Sequence, residues 1–130
     1  MNDKLLKKVY DEINNLKPIT LYNDATGTKT DINLNGNISD YSYIEIYYYE
    51  QFWNGKIHTS KKLPSNFDYT IIGLNAGSID SGSVYHLWAK LRNDNTKISR
   101  LSEGWGYFGS STGARTENVD LYITKVIGYK

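Results

Sequence analysis

The run Tyr41-Ser42-Tyr43-Ile44-Glu45-Ile46-Tyr47-Tyr48-Tyr49-Glu50 holds five of the chain's twelve tyrosines. Successive side chains of an extended strand point to opposite faces, so Ile44, Ile46 and Tyr48 share one face and Tyr43, Glu45, Tyr47 and Tyr49 the other. The first face must be buried against a second layer. The other carries rings that are apolar in the body and wet at the hydroxyl, suited to stacking and hydrogen bonding at once. A sheet packed on another layer is therefore the minimum architecture, and the identity of whatever meets the tyrosine face becomes a functional question.

The period of two extends well beyond this run. Residues 1–17 are different: Leu6, Val9, Ile13 and Leu16 step by three, four and three, which predicts a helix over 3–17 ended by Pro18. Two heptads do not hold an isolated helix in water. The stripe either docks on its own domain or forms the stub of a trimeric stalk. From residue 18 to residue 130 the pattern predicts a β domain. Ile19–Tyr22 reads as a strand, Asn23–Gly27 as a turn, and Thr30–Leu34 as the returning strand with Ile32 and Leu34 on one face. Asn54-Gly55 suits a type I′ hairpin after the tyrosine strand, returning the chain through Lys56–Lys62. Tyr69–Leu74 follows. In Ser83–Arg92, Tyr85, Leu87, Ala89 and Leu91 face in while His86, Trp88, Lys90 and Arg92 face out. Thr96–Leu101 and Val119–Tyr129 complete the set, separated by a Gly/Ser-rich irregular stretch from Ser102 to Asn118. Short strands at this spacing predict an all-β fold: an antiparallel β-sandwich, jelly-roll-like, preceded by a short N-terminal α-helix.

Composition narrows the functional classes. A chain of 130 residues is one domain's worth and buries roughly two thirds of its unfolded surface, enough for a core without staples. It has no cysteine, which excludes thiol catalysis and Cys-based zinc sites. A formal charge of +1 gives no global attraction to nucleic acid or an anionic membrane. The N-terminus lacks the apolar segment of a signal peptide, and no apolar run approaches the ~20 residues of a spanning helix.

Templates for chemistry fail one by one. Asp31-Ile-Asn33-Leu-Asn35-Gly36 opens like a calcium loop, but the position for a bidentate Glu is Ser42 and no helices flank it, so it reads as a turn. Gly109-Ser-Ser-Thr-Gly113 spells a nucleophile elbow, yet no histidine follows His86 in the chain. His58 and His86 lack a matched third ligand. No metal, cofactor or catalytic set is expected.

Three segments carry a resemblance: Ile19-Thr-Leu-Tyr-Asn-Asp-Ala-Thr-Gly27, the tyrosine run through Tyr49, and the terminal Leu121-Tyr-Ile-Thr-Lys-Val-Ile-Gly-Tyr-Lys130. In order and spacing they resemble the C-terminal, receptor-binding-type β domain of tail-fibre and baseplate proteins from phages and prophages of Gram-positive bacteria. The likeness spans about Ile19 to Lys130. It implies a virion tail component, made in the bacterial cytoplasm, homotrimeric, and in contact with other tail proteins and with host cell-wall carbohydrate. This chain departs from the family in having only a short helix in front of the domain. The resemblance supplies no motif that places a ligand site residue by residue.

Candidate contacts are therefore chosen on physical grounds. Sugar sites on β-sandwiches combine an aromatic platform with amide, hydroxyl or carboxylate partners. Trp53 at the hairpin tip, outward His86 and Trp88, and Trp105 and Tyr107 in the glycine-rich segment are the platforms expected. Trp105 stands out as a tryptophan between glycines in a long loop. Leu6, Val9, Ile13, Leu16, Tyr47 and Tyr49 are the expected oligomer contacts. A purely structural tail or baseplate subunit, or the carbohydrate-binding module of a bacterial protein, are the alternatives.

Overall fold

The computed structural model describes residues 2–52, 55–77, 84–107 and 119–130. One helix, α1 (Asp3–Asn15), precedes eight strands: β1 (Ile19–Thr28), β2 (Ile32–Asn33), β3 (Tyr43–Phe52), β4 (Gly55–Pro64), β5 (Tyr69–Gly77), β6 (Val84–Asn93), β7 (Lys97–Tyr107) and β8 (Leu121–Tyr129). The strands form two antiparallel four-stranded sheets in the orders β1-β8-β3-β4 and β2-β7-β6-β5. The expected all-β sandwich behind a short helix is what the chain forms.

The core lies between the sheets and follows the alternation. Ile44, Ile46 and Tyr48 of β3 meet Leu121, Ile123 and Val126 of β8, and Ile72, Leu87, Ala89, Leu91 and Ile98 close it from the second sheet. Tyr48 is the tyrosine of β3 that joins the core, and its hydroxyl donates to the Gly73 carbonyl of the opposite sheet at 3.2 Å. That bond supplies a partner for a phenol which would otherwise be buried dry. Desolvation raises the Tyr48 pKa.

Two departures from the expected strands share one cause, the bulge. The segment expected as a hairpin, Ile19–Tyr22 turning at Asn23–Gly27, is one strand running on to Thr28. It stays paired to β8 through Tyr22↔Val126, Asn23↔Lys125 and Thr28↔Ile123, with the intervening residues bulged out. Asp24 organises that bulge: its carboxylate accepts from the Thr26 backbone N–H, from the hydroxyls of Thr26 and Thr28, and from Tyr22. These hydrogen bonds, Thr26's first, hold the Asp24 carboxyl below its ordinary pKa. Ile32 and Leu34 are both buried, as expected, but β2 pairs with β7 in the other sheet.

The second departure is β7, which continues to Tyr107 through residues expected to be irregular from Ser102 onward. Lys90 pairs with Ser102 and Leu91 with Arg100, which leaves Leu101 as an extra residue. Such an insertion reverses the parity of every residue beyond it. Ile98 and Arg100 face in before the bulge; Glu103 and Trp105 face in after it.

The helix is capped by Asn2, whose side chain accepts from Leu5 N–H at 2.8 Å. It ends two residues short of the expected 3–17 span. No residue of α1 is buried. Leu6, Val9, Ile13 and Leu16 all stay exposed, so the stripe does not dock on its own domain.

Candidate functional site

The outward face of β5-β6-β7 brings two of the expected platforms together. His86 and Trp88 lie two residues apart on β6 and are both half-buried. Their cross-strand neighbours are small or amide-bearing: Trp88 lies opposite Gly73 of β5 and Gly104 of β7, and His86 opposite Asn75 and Gly106. Gly104 and Gly106 are buried although they sit on the outer face. Gly73 is required by a close approach: a Cβ there would lie 2.5 Å from the Leu87 carbonyl oxygen. One register step further, Lys90 Nζ sits 4.2 Å from the centroid of the exposed Tyr69 ring. An indole, an imidazole, an amide and an ammonium thus share one sheet face whose glycine neighbours raise no side chains beside them. That mix can stack on a C–H surface and exchange hydrogen bonds with hydroxyls.

The remaining platforms fare differently. Trp105 is a strand residue and packs, half-buried, against the hydrophobic core, so it leaves the outward platform. Its flanking glycines do not mark a loop; Gly104 and Gly106 are the outer-face neighbours of Trp88 and His86. The Leu101 bulge turned it inward. Trp53 and the Tyr107 side chain lie outside the described residues, as does the Gly109–Gly113 motif.

The outward face of β1-β8-β3-β4 carries the tyrosines. Tyr49 is only 3% exposed. Its ring stacks on Tyr122 at 5.0 Å and tilts against His58 at 5.3 Å, and its hydroxyl donates to the Thr26 carbonyl at 2.5 Å. Gly27, at φ +84°, lets the β1 bulge fold down onto this pair. Tyr49 is thus satisfied within its own chain, which corrects its expected place at a subunit interface. Tyr47 remains partly accessible; a hydrogen bond with Glu45 is the main cause that pushes its phenol up to about 12. The two histidines belong to opposite outer faces and do not form a pair. Among the described residues no cluster of metal-ligating side chains occurs. Asp31, the first residue of the calcium-like segment, instead accepts from Arg100 N–H at 2.9 Å, and Asn37 caps the short 3₁₀ helix Ile38–Asp40.

Two polar features of the interior were not anticipated. Glu50 follows Ile46 and Tyr48 on the inward face of β3 and is 5% exposed. Its Oε2 has no hydrogen-bond partner among the described residues. Burial, with the neighbouring Asp120 charge adding to it, pushes its carboxyl up to about 7. Parity alone could have found it, because Glu50 is the next even-numbered residue after Tyr48. The other is an ion pair, Arg100 Nη2 to Glu103 Oε2 at 2.7 Å, between side chains 5% and 15% exposed. Arg100 also donates to the Leu121 carbonyl, and Glu103 accepts from Val119 N–H. The pair joins β7 to the start of β8, one sheet to the other. Residues three apart in a strand normally face opposite ways; only the bulge at Leu101 lets these two meet.

No helix among the described residues is long and apolar enough to cross a membrane. No protein-family model and no curated protein matches the chain.

Proposed function

We propose that the chain is a non-enzymatic attachment module of a phage or prophage tail, homotrimeric through its N-terminal helix, that binds a host cell-surface saccharide or wall polymer. The observation that carries this reading is the Trp88–His86 strip, a half-buried aromatic platform set among glycines on the outer sheet face. A shallow platform of that kind binds weakly alone and gains avidity when several copies engage one polymer. The exposed Leu6, Val9, Ile13 and Leu16 stripe supplies the means of bringing copies together. A helix of 13 residues does not persist unaided in water, whereas an a/d seam closed by two further copies would stabilise it.

The test is retention of the protein on purified Gram-positive cell walls, with Trp88→Ala beside the wild type and solution mass measured for both. The expected result is a trimer that is retained, and a Trp88→Ala trimer that is retained at least tenfold less. Retention that is absent, or indifferent to Trp88→Ala, refutes the binding role. With a trimeric mass, that outcome favours the structural tail or baseplate subunit, the reading that the exposed stripe supports by itself. Retention by a monomer favours a carbohydrate-binding module.

A further inference from the structure

A net charge of +1 conceals an uneven distribution. On the outward face of β1-β8-β3-β4, lysine ammoniums are seated on tyrosine rings. Lys62 Nζ lies 4.5 Å from the Tyr129 centroid and 5.3 Å from that of Tyr43, Lys125 lies 5.6 Å from Tyr47, and Lys56 lies 4.4 Å from Tyr49. These separations fall in the range of cation–π attraction, which restrains the lysine stems without neutralising the charge. Among the described residues, Lys56, Lys62 and Lys125 form no ion pair. Lys29, near Tyr122, is different, because Asp120 pairs with it at 3.2 Å. The acidic side chain beside these three lysines is Glu45, which lies opposite Lys62 and hydrogen-bonds Tyr47.

Register fixes the placement. Lys62 lies opposite Glu45, Lys125 opposite Tyr47, and Lys56 opposite Gln51. Lys56 and Lys62 stand on β4, on one side of β3, and Lys125 on β8, on the other, so the three cations flank β3. Held cations on both sides of β3, interleaved with phenol hydroxyls, complement a flexible polymer that repeats an anionic group between hydroxyl-bearing units. We propose that this face is a second binding surface, selective for an anionic polysaccharide and independent of the Trp88 platform.

The same residues argue against other polyanions. Single-stranded nucleic acid needs ring faces open to bases. Here Tyr49 is buried, Tyr122 is stacked on it, and Tyr43 and Tyr129 already carry Lys62. A membrane surface needs a protruding apolar side, and this face presents hydroxyls and ammoniums.

Biolayer interferometry against immobilised dextran sulfate and neutral dextran of equal length tests the proposal. The wild type should bind dextran sulfate saturably, more weakly as salt rises, and should not bind neutral dextran through this face. Lys62→Gln combined with Lys125→Gln should weaken dextran sulfate binding at least tenfold with the unfolding midpoint unchanged. Lys97→Gln, which removes one charge from the other sheet, should leave it within twofold. Absence of sulfate-dependent binding, equal losses in the Lys97 control, or tighter binding of poly-dT of matched charge each overturns the proposal, the last in favour of a nucleic acid. Trp88→Ala keeps the two surfaces apart. Dextran sulfate binding that survives Trp88→Ala while wall retention is lost upholds both proposals, and a loss of dextran sulfate binding in Trp88→Ala overturns independence.

Discussion

Replacing Glu50 by Gln should flatten the pH dependence of stability. In the unfolded chain this carboxyl titrates near 4.5; in the folded protein burial and Asp120 move it to about 7. An acid whose pKa is raised by folding binds its proton more tightly in the native state. Its penalty is therefore absent below about pH 4.5, grows as pH rises, and is complete above about 7. Integrating the difference in proton uptake between pH 5 and pH 8 gives a loss of about 2–3 kcal/mol in the wild type. Glutamine carries no charge, so the variant should not show this loss. Other titrating groups, the two histidines included, are common to both proteins and cancel in the comparison. Urea unfolding at pH 5, 6, 7 and 8 measures it, provided the transitions are two-state. At pH 8 the variant should be the more stable protein, less whatever its own unpartnered amide costs. Wild type and Glu50→Gln curves that run parallel from pH 5 to pH 8 would refute the reasoning, because they would show Glu50 to be solvated or paired in solution.

Two further outcomes follow from the interior and the bulges. Arg100→Ala should cost about 3–5 kcal/mol, since it strands Glu103 inside the sandwich, whereas Arg100→Met with Glu103→Leu should recover most of that loss; thermal and denaturant unfolding of the three proteins decides, and equal losses in both variants would contradict it. Gly27→Ala should destabilise by about 1–3 kcal/mol, because the residue holds φ +84° and a Cβ would lie 2.5 Å from Tyr122 Cβ; an unchanged unfolding midpoint would mean that the β1 bulge is not clamped on Tyr49 and Tyr122 as described.

Much of the fold was legible in the chain because alternation is a direct reading of which face is wet. β3 and β6 follow their patterns, and Trp88 and His86 point outward as their parity requires. What could not be read was where parity breaks. A bulge leaves no dependable mark in one sequence: it costs a single residue, and at Leu101 that residue is apolar and looks like core. The consequences were large. Trp105 packs on the core, β7 runs through the segment expected to be irregular, and Arg100 meets Glu103. The β1 bulge is hidden for a related reason, since Asp24-Ala-Thr-Gly27 has the chemistry of a turn and in fact makes one, within a strand that then resumes pairing. Tyr49 shows a different limit. Its outward parity was right, but burial of an outer-face residue depends on what folds over it, and the cover comes from β1, more than 20 residues away.

The pairing of β1 with β8 has a mechanical consequence. Ile19, the residue through which α1 joins the sandwich, lies opposite Gly128, while Glu50 and Leu121 mark the other end of the same sheet. Tension drawn through the helix enters the domain at one end of edge strand β1. If the resisting grip is on β3, β4 or β6, that load runs along β1, and its hydrogen bonds to β8 are strained together as a shear joint. If the grip is instead at Lys130, two residues beyond Gly128, the same bonds are taken singly, as a zipper. A head tethered by its helix and held by either of its sheet faces would thus be pulled in its stronger direction.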